Sequence, residues 1–302
     1  MKRFKKIIVV YDILPGGDET LERAIELAKR NDAHLTLLNV VDPSRGWEHI
    51  DQHKRMIERV AVGIPLPTYR KDHVVLLGTP VIEILGEASA RQADLIMTSD
   101  GYAGEYEQMF GLDLTTDLMR RADCPVWVVH AKTKQNYHRV VAAVNAGKED
   151  ALTDPANRRI LEMASSLAEL EQAELHVVYA WDFEGQDKNR MDNGLSPSEY
   201  ADRMKLAHLE HLGQLVDLGR TVLGDPLTFI PVVQHGDAVS VVHDYIETQK
   251  ADILVTDGKV SNPVMSAIIS TKATKFLAQA ACSVLFARPL PANFEQAATA
   301  AE

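Results

Sequence analysis

The chain is poor in the features that mark secreted or membrane-spanning proteins. It contains 2 cysteines in 302 residues, too few for a disulfide framework to organise the fold. No apolar run reaches the length that a bilayer-spanning helix requires. The run from Ile7 to Tyr11, behind the basic start, is too short for the core of a signal peptide. These absences favour a soluble protein of the cytoplasm.

Positive charge is also scarce. The sequence has 32 Lys and Arg against 43 Asp and Glu, which gives a net charge of −11. This excess argues against sequence-independent binding to DNA or to an anionic membrane, so we expect neither a nucleic-acid nor a membrane partner. The length and the hydrophobic content of 46% suit two globular domains that each bury a core.

What the chain does contain is an internal repeat. In both copies 16 residues separate a glycine from an aspartate, and 30 separate that aspartate from a cysteine. The matching segments are Gly78-Thr79-Pro80, Ala93-Asp94 and Asp123-Cys124 in the first copy, and Gly236-Asp237-Ala238, Ala251-Asp252 and Ala281-Cys282 in the second. A repeat at fixed spacing indicates two copies of one domain. We predict a first domain at 1–133, a second at 137–290 and a tail at 291–302.

Strand and helix patterns alternate along each copy. Short apolar runs indicate buried strands, such as Lys6–Tyr11, Leu35–Val41, Val74–Leu77 and Val140–Val144. The capping box Ser196-Pro197-Ser198-Glu199 marks the start of a helix that we expect to run towards Gly219, and another helix is predicted near Thr271–Ala280. The alternation predicts two tandem doubly wound α/β domains with parallel sheets, whose ligands bind at the carboxyl ends of the strands. The fifth strands, Val126–His130 and Val284–Ala287, have no later strand to cover them. We therefore predict that they pair in an internal pseudo-dimer.

With these segments the chain resembles a tandem universal stress protein. The first strand ends in Asp12, a Gly-x-Pro or Gly-Asp-x turn opens the third helix, Ala-Asp leads into the fourth strand, and Cys124 or Cys282 precedes the fifth. The resemblance implies an architecture like that of the adenine-nucleotide alpha-hydrolases. It also implies a non-catalytic stress-response protein that acts through a small ligand or a partner protein, and it leaves a homodimer of the whole chain open.

A nucleotide-binding module, with slow ATP hydrolysis in the first domain, is the alternative. In ATP-binding members of the family, adenine lies near the end of the second strand, here Val41, beside the aspartate Asp12. Glycines let the backbone approach the phosphates. The resemblance assigns this role to Gly101, Gly104 and Gly111 in the first copy, and a hydroxyl pair remains at Ser270 and Thr271 in the second.

The glycines are displaced from the family spacing. Counted back from the cysteine, the three expected positions hold Ser99, Tyr102 and Leu112 in the first copy. In the second copy, Asn145 replaces the aspartate of the first strand and Asp257 adds a negative charge. We therefore expect any ATP to bind the first copy, weakly, and we predict no other cofactor.

The remaining candidates favour no catalytic chemistry. His49 and His53, like His208 and His211, are spaced so that two imidazoles share a helix face, but no third ligand can be named and we assign no metal site. The two cysteines occupy equivalent positions and are interpreted as small buried hydrophobic residues. No residue is assigned a catalytic role.

Overall fold

The structure is a computed structural model, and the residues that it describes fall into eight ranges: 4–11, 17–100, 114–130, 136–147, 150–183, 195–226, 228–257 and 282–287. Several predicted features lie outside these ranges. They are Asp12, the segment around the Gly101–Gly104 loop, the helix predicted near Thr271–Ala280 and the tail at 291–302.

Ten strands and seven α-helices occur within the described ranges. The strands are β1 (Lys6–Val10), β2 (His34–Val41), β3 (Lys71–Leu77), β4 (Leu95–Ser99), β5 (Val126–Val129), β6 (Arg139–Ala143), β7 (Glu174–Trp181), β8 (Ile230–His235), β9 (Ile253–Asp257) and β10 (Ser283–Ala287). The helices are α1 (Gly17–Asn31), α2 (Trp47–Gly63), α3 (Pro80–Arg91), α4 (Leu114–Arg121), α5 (Pro155–Glu171), α6 (Pro197–Leu223) and α7 (Ala238–Gln249).

The chain divides into two compact units. The first unit contains Met1–Gln135, Gly258–Val260 and Ile268–Glu302, and the second contains Asn136–Asp257 and Ser261–Ala267. Strand β10 therefore belongs to the first unit by its contacts, although the sequence repeat places it in the second copy. The boundaries of the two sequence domains remain a prediction.

In the first unit the strand order is β3-β2-β1-β4-β5-β10. Neighbouring strands are parallel from β3 to β5. Strand β10 runs antiparallel to β5, with Leu285 opposite Trp127. The edge of β5, which sequence reasoning identified as uncovered, is thus paired.

The second unit repeats the parallel part of this arrangement, in the order β9-β6-β7-β8. Consecutive residues are buried along β4, β6 and β9, which happens when a parallel sheet is covered on both faces. Strands β3 and β8, each at one edge of its own unit, are only partly buried. The predicted tandem α/β fold is confirmed.

The repeat extends to single backbone conformations. Asp32 and Gln172, which follow α1 and α5, both have positive φ angles, of 54° and 55°. Gln92 and Lys250, which follow α3 and α7, do so as well, with 55° and 51°. Left-handed residues commonly terminate helices by satisfying the last carbonyl groups. The two copies therefore end equivalent helices in the same way with different amino acids.

Local sequence signals predicted where the helices start more accurately than where they end. The capping box is present: Ser196 N–H donates to Glu199 Oε2 at 2.9 Å, and Ser196 Oγ accepts from Glu199 N–H at 3.4 Å. Thr79 occupies the N-cap position of α3 without a side-chain cap bond. Helix α6 was expected to end towards Gly219 and continues to Leu223. None of the described helices is long and apolar enough to cross a membrane.

Candidate functional site

In the first unit, a tight glycine turn follows β3 and contacts the end of β2. Val41, the last residue of β2, is 2% exposed, and its carbonyl oxygen accepts a hydrogen bond from Gly78 N–H at 3.2 Å. Gly78 has a φ of 149°, and a Cβ there would lie 2.5 Å from Glu83 Oε1. Glycine is therefore required at this turn. The turn holds the end of β3 and the start of α3 against Val41.

Asn39, a buried residue of β2, contacts the imidazole of His53 on α2 through its side-chain amide. Asn39 Nδ2 donates to the carbonyl oxygen of Tyr11 at 2.9 Å, and Asn39 Oδ1 lies 3.1 Å from His53 Nδ1. Since an amide oxygen can only accept, Nδ1 of His53 carries the proton and Nε2 is left as an acceptor. Burial lowers the pKa of His53, and the positive charges of His49 and Arg45 act in the same direction. This imidazole is therefore neutral near pH 7.

A carboxylate and a histidine meet where β4 and β5 end. Ser99 is paired with Val129 in the parallel register, so the next residues, Asp100 and His130, leave neighbouring strand ends. His130 Nδ1 lies 2.5 Å from Asp100 Oδ2, with the side chains 13% and 17% exposed. The backbone N–H of His130 also donates to Ser283 Oγ at 3.2 Å. Sequence reasoning did not select this pair, because only the strand register brings it together.

Aromatic rings fill the matching edge of the second unit. Trp181 ends β7 as Val41 ends β2, and its carbonyl oxygen accepts from Gly236 N–H at 2.8 Å. Trp181 is 4% exposed. Its ring centroid lies 4.5 Å from that of His211 and 4.8 Å from that of His235. The side chain of Trp181 thus fills space next to the strand end.

The cluster around Trp181 is tied together by further contacts. The ring of Phe183 lies edge-on to Trp181, with centroids 5.2 Å apart. His235 Nε2 lies 3.1 Å from Asp182 Oδ1. Trp181 Nε1 is buried without a hydrogen-bond partner among the described residues. We call the residues whose rings are in contact the aromatic cluster: Tyr179, Trp181, Phe183, His211 and His235.

The chain also packs closely around the end of β6. A Cβ added at Gly147 would lie 2.0 Å from the hydroxyl oxygen of Tyr179, whose ring contacts His211 at 5.5 Å between centroids. Asn145, which replaces the acidic residue of the first copy, has its backbone N–H and carbonyl bound by the Asn157 side chain at 3.1 and 2.9 Å. In the part of the second unit that the structure describes, side chains therefore pack closely against the end of β6.

The two histidine pairs are engaged in protein contacts. The rings of His49 and His53 lie 4.4 Å apart between centroids, but Nδ1 of His53 is bound by Asn39. Nδ1 of His211 lies 2.9 Å from Gln214 Oε1. In the part of the chain that the structure describes, no group of three or more His, Cys, Asp or Glu is placed to hold a metal ion.

The sequence model of the universal stress protein family matches this chain twice, over residues 3–130 and 136–288. The two matches coincide with the two copies of the repeat and leave little of the chain outside them. The chain belongs to the universal stress protein family. The family resemblance and the tandem organisation predicted from the repeat are confirmed.

This universal stress protein is similar to a curated relative in sequence and to solved structures in fold, at low sequence identity. It is 27% identical to the universal stress protein E homolog of Haemophilus influenzae, over 59% of this chain and 65% of that protein. The chain thus matches just under two thirds of the length of that curated relative. A functionally unknown protein of Pseudomonas aeruginosa has a TM-score of 0.61 at 19% identity, covering 99% of this chain and 98% of the other. A universal stress protein of Archaeoglobus fulgidus has a TM-score of 0.62 at 14% identity, covering 96% and 98%.

Of the residues that the resemblance assigned to a nucleotide site, Val41 alone can be placed. It lies at the carboxyl edge of the first unit, where the prediction expects it. The other assigned residues lie outside the described ranges, and their roles remain predictions: Asp12, Gly101, Gly104, Gly111, Ser270 and Thr271.

The aromatic side chains of the second unit were not selected from the sequence, but an alignment of the two copies of the repeat could have found them. Aligning the second strands of the two copies, from His34 and Glu174, pairs Val41 with Trp181. The third-strand alignment, anchored on Gly78 and Gly236, pairs Leu77 with His235. Each pair changes an aliphatic residue into an aromatic one at the same strand end. This substitution pattern was the available signal for the aromatic cluster.

Proposed function

We propose that this universal stress protein acts in the stress response by binding a small ligand at the carboxyl edge of the first unit, without turning it over. The observation that carries the proposal is the difference between the two edges. In the second unit, Trp181 occupies the position equivalent to Val41. Trp181 is 4% exposed, and its ring contacts the imidazole rings of His211 and His235. In the first unit the same position holds the much smaller Val41.

The groups around Val41 favour a ligand with a hydrogen-bond donor. Nδ1 of His53 is held by Asn39, so Nε2 presents a lone pair. The lowered pKa of His53 keeps that lone pair available at neutral pH. Tyr11 donates its hydroxyl to Asp18 Oδ1 at 2.8 Å, which supplies an acidic group at the start of α1. A small ligand carrying an N–H group fits this chemistry.

Native mass spectrometry of freshly purified protein tests the proposal. We expect a retained small molecule, or one captured from a metabolite extract, in wild type. The Val41→Trp variant, which copies the second unit, should lose it. Trp181→Phe, in the other unit, should keep it, and circular dichroism should show both variants folded. A folded Val41→Trp that binds as wild type does would contradict the site, and a protein partner instead of a small molecule would contradict the ligand class.

The ATP alternative makes a separate prediction for titration calorimetry with ATP and magnesium. The displaced glycines remove backbone N–H contacts to phosphate, each worth about 1.5–3 kcal/mol when charge-assisted. Losing two would move a micromolar site towards millimolar affinity, so weak binding or none is expected. If binding is seen, Gly104→Val should abolish it and Ser270→Ala should not. Tight binding with the opposite response would reverse the assignment of copies.

We also propose that the two sequence copies, at 1–133 and 137–290, form an internal pseudo-dimer through their fifth strands. The antiparallel pairing of β5 with β10 inside the first unit supports this proposal. Small-angle scattering that showed two separated lobes on a flexible linker would contradict it. A homodimer of whole chains and a cytoplasmic location are further proposals, which sedimentation analysis and cell fractionation test.

A further inference from the structure

We propose that His130 is a nucleophile that accepts an activated acyl or phosphoryl group, with Asp100 as its positioning residue. This goes beyond ligand binding, because it adds a covalent step that the chain undergoes once per molecule. The pair lies where β4 and β5 end, at the edge of the sheet where α/β folds bind ligands.

The contact between the two side chains fixes the form of the imidazole. Asp100 Oδ2 lies 2.5 Å from His130 Nδ1. A carboxylate oxygen accepts, so Nδ1 carries the proton and the lone pair resides on Nε2. Nε2 of His130 has no hydrogen-bond partner within the described ranges, and the side chain keeps 13% of its exposure. A small electrophile can therefore reach part of this side chain, whose ring is already in the nucleophilic tautomer.

His130 is also held from its main chain. Its backbone N–H donates to Ser283 Oγ at 3.2 Å, and Ser283 is fully buried on β10. Two anchors on one residue, one on the ring and one on the backbone, restrict the direction in which Nε2 points. Preorganisation of this kind is what a reactive side chain requires.

His53 and His235 lack this combination. His53 has Nδ1 bound by the neutral amide of Asn39, so no carboxylate faces its ring at that nitrogen. His235 is bound by Asp182 through Nε2 and not through Nδ1. In the second copy, the cysteine spacing puts Gly258 and Arg288 at the positions of the pair. The pair is thus specific to the first copy.

Acetyl phosphate is a suitable probe because it carries both activated groups. Attack of the Nε2 lone pair on phosphorus forms an N–P bond, breaks the P–O bond to the acetyl group and releases acetate. Attack on the carbonyl carbon forms an N–C bond, breaks the C–O bond and releases phosphate. In both cases the Nδ1 proton stays in the hydrogen bond to Asp100, whose negative charge stabilises the positive ring.

The experiment measures the rate at which each histidine is modified. Full-length protein is incubated with acetyl phosphate, quenched and digested at neutral or alkaline pH, and the modified peptides are identified by tandem mass spectrometry. We expect His130 to be modified at least tenfold faster than His53 and His235. Asp100→Asn should slow it about tenfold or more, because the orienting charge is lost. A phosphoryl adduct and an acetyl adduct both support the nucleophile, and the product identifies the group transferred.

His130→Gln should remove the fast site and leave the modification of His53 unchanged, which shows that the fold persists. Asp182→Asn is the matched control, since it changes the carboxylate beside His235 and should leave His130 as fast as in wild type. If Asp100→Asn unfolds the protein, the comparison of His130 with His53 and His235 in wild type decides. Modification of His130 no faster than theirs, or unaffected by a folded Asp100→Asn, would overturn the proposal and leave a structural hydrogen bond.

Discussion

The two units carry the same glycine turn and different side chains around it. Gly78 and Gly236 both donate their N–H to the last carbonyl of the neighbouring strand, at 3.2 and 2.8 Å. In the first unit that strand ends in Val41, and in the second it ends in Trp181, inside the aromatic cluster. The backbone conformation at the turn is thus shared by the two copies, whereas the side chains at the strand ends differ. One edge carries a small aliphatic residue beside polar groups, and the other carries packed aromatic rings.

Trp181→Ala should have the largest effect on this comparison. Removing a buried indole leaves a cavity between His211 and His235, and we expect the free energy of unfolding to fall by about 3–5 kcal/mol. Urea denaturation followed by circular dichroism measures the change. Trp47, which is 70% exposed, is the control, and its replacement by Ala should change stability by about 0.5 kcal/mol or less. Equal effects at the two positions would mean that the aromatic cluster does not stabilise the second unit.

Gly147→Ala should have the next largest effect. Its Cβ would lie 2.0 Å from the hydroxyl oxygen of Tyr179, and overpacking of this kind costs about 1–3 kcal/mol. Tyr179→Phe in the same chain should recover part of the loss. Gly213, in helix α6 with nothing within 4 Å of an added Cβ, is the matched control. Gly213→Ala should stabilise by about 0.5–1 kcal/mol, since alanine favours a helix. A Gly147→Ala variant as stable as wild type would show that the Tyr179 side chain can move aside.

The equivalent cysteines allow a smaller comparison between the copies. Cys282 is 1% exposed and Cys124 is 8% exposed, so Cys282→Ala should cost more than Cys124→Ala. The double variant should remain folded, at a total cost of about 1–3 kcal/mol. Thermal denaturation shows which of the two single substitutions lowers stability more. Metal analysis of the purified protein is the control. Bound zinc that is lost with the double substitution would contradict a purely packing role.

The smallest expected effect is the dependence of the free energy of unfolding on pH, to which one histidine in each unit contributes. Burial lowers the pKa of His53 in the first unit and of His176 in the second below the ordinary value of 6.5. The unfolded chain then binds protons more readily than the folded one, so stability falls as the pH drops below 6.5 and recovers as it rises. His53→Gln and His176→Gln should each flatten the curve of unfolding free energy against pH in that window. An unchanged slope in both variants would show that other groups govern it.

The fold could be predicted because its signals are local or repeated. The capping box at Ser196 and the Gly78 and Gly236 turns depend on residues that are close in sequence. Strand β3 starts at Lys71, three residues before the predicted Val74, because pairing of Lys71 with Leu35 extends it. Tertiary contacts of this kind override local preference.

The site was less accessible to sequence reasoning, for a physical reason. Asp100 and His130 are separated by 30 residues and become neighbours only through the pairing of Ser99 with Val129. The ring of Trp181, on β7, contacts rings from α6 and β8, those of His211 and His235. Such contacts depend on strand register and helix placement, which hydrophobic periodicity does not supply. The strand end at Val41 could be located because the apolar pattern alone marks it, and the part of Val41 in a ligand site remains a prediction.

The pairing of β10 with β5 has a consequence for synthesis on the ribosome. Trp127 is opposite Leu285, so β5 is synthesised well before the strand that pairs with it. Until residues 283–287 leave the exit tunnel, the β5 edge of the nascent chain offers unpaired N–H and C=O groups to any neighbouring strand. Partly made chains are therefore the species most prone to associate wrongly, and the ones for which a chaperone at the tunnel exit matters most.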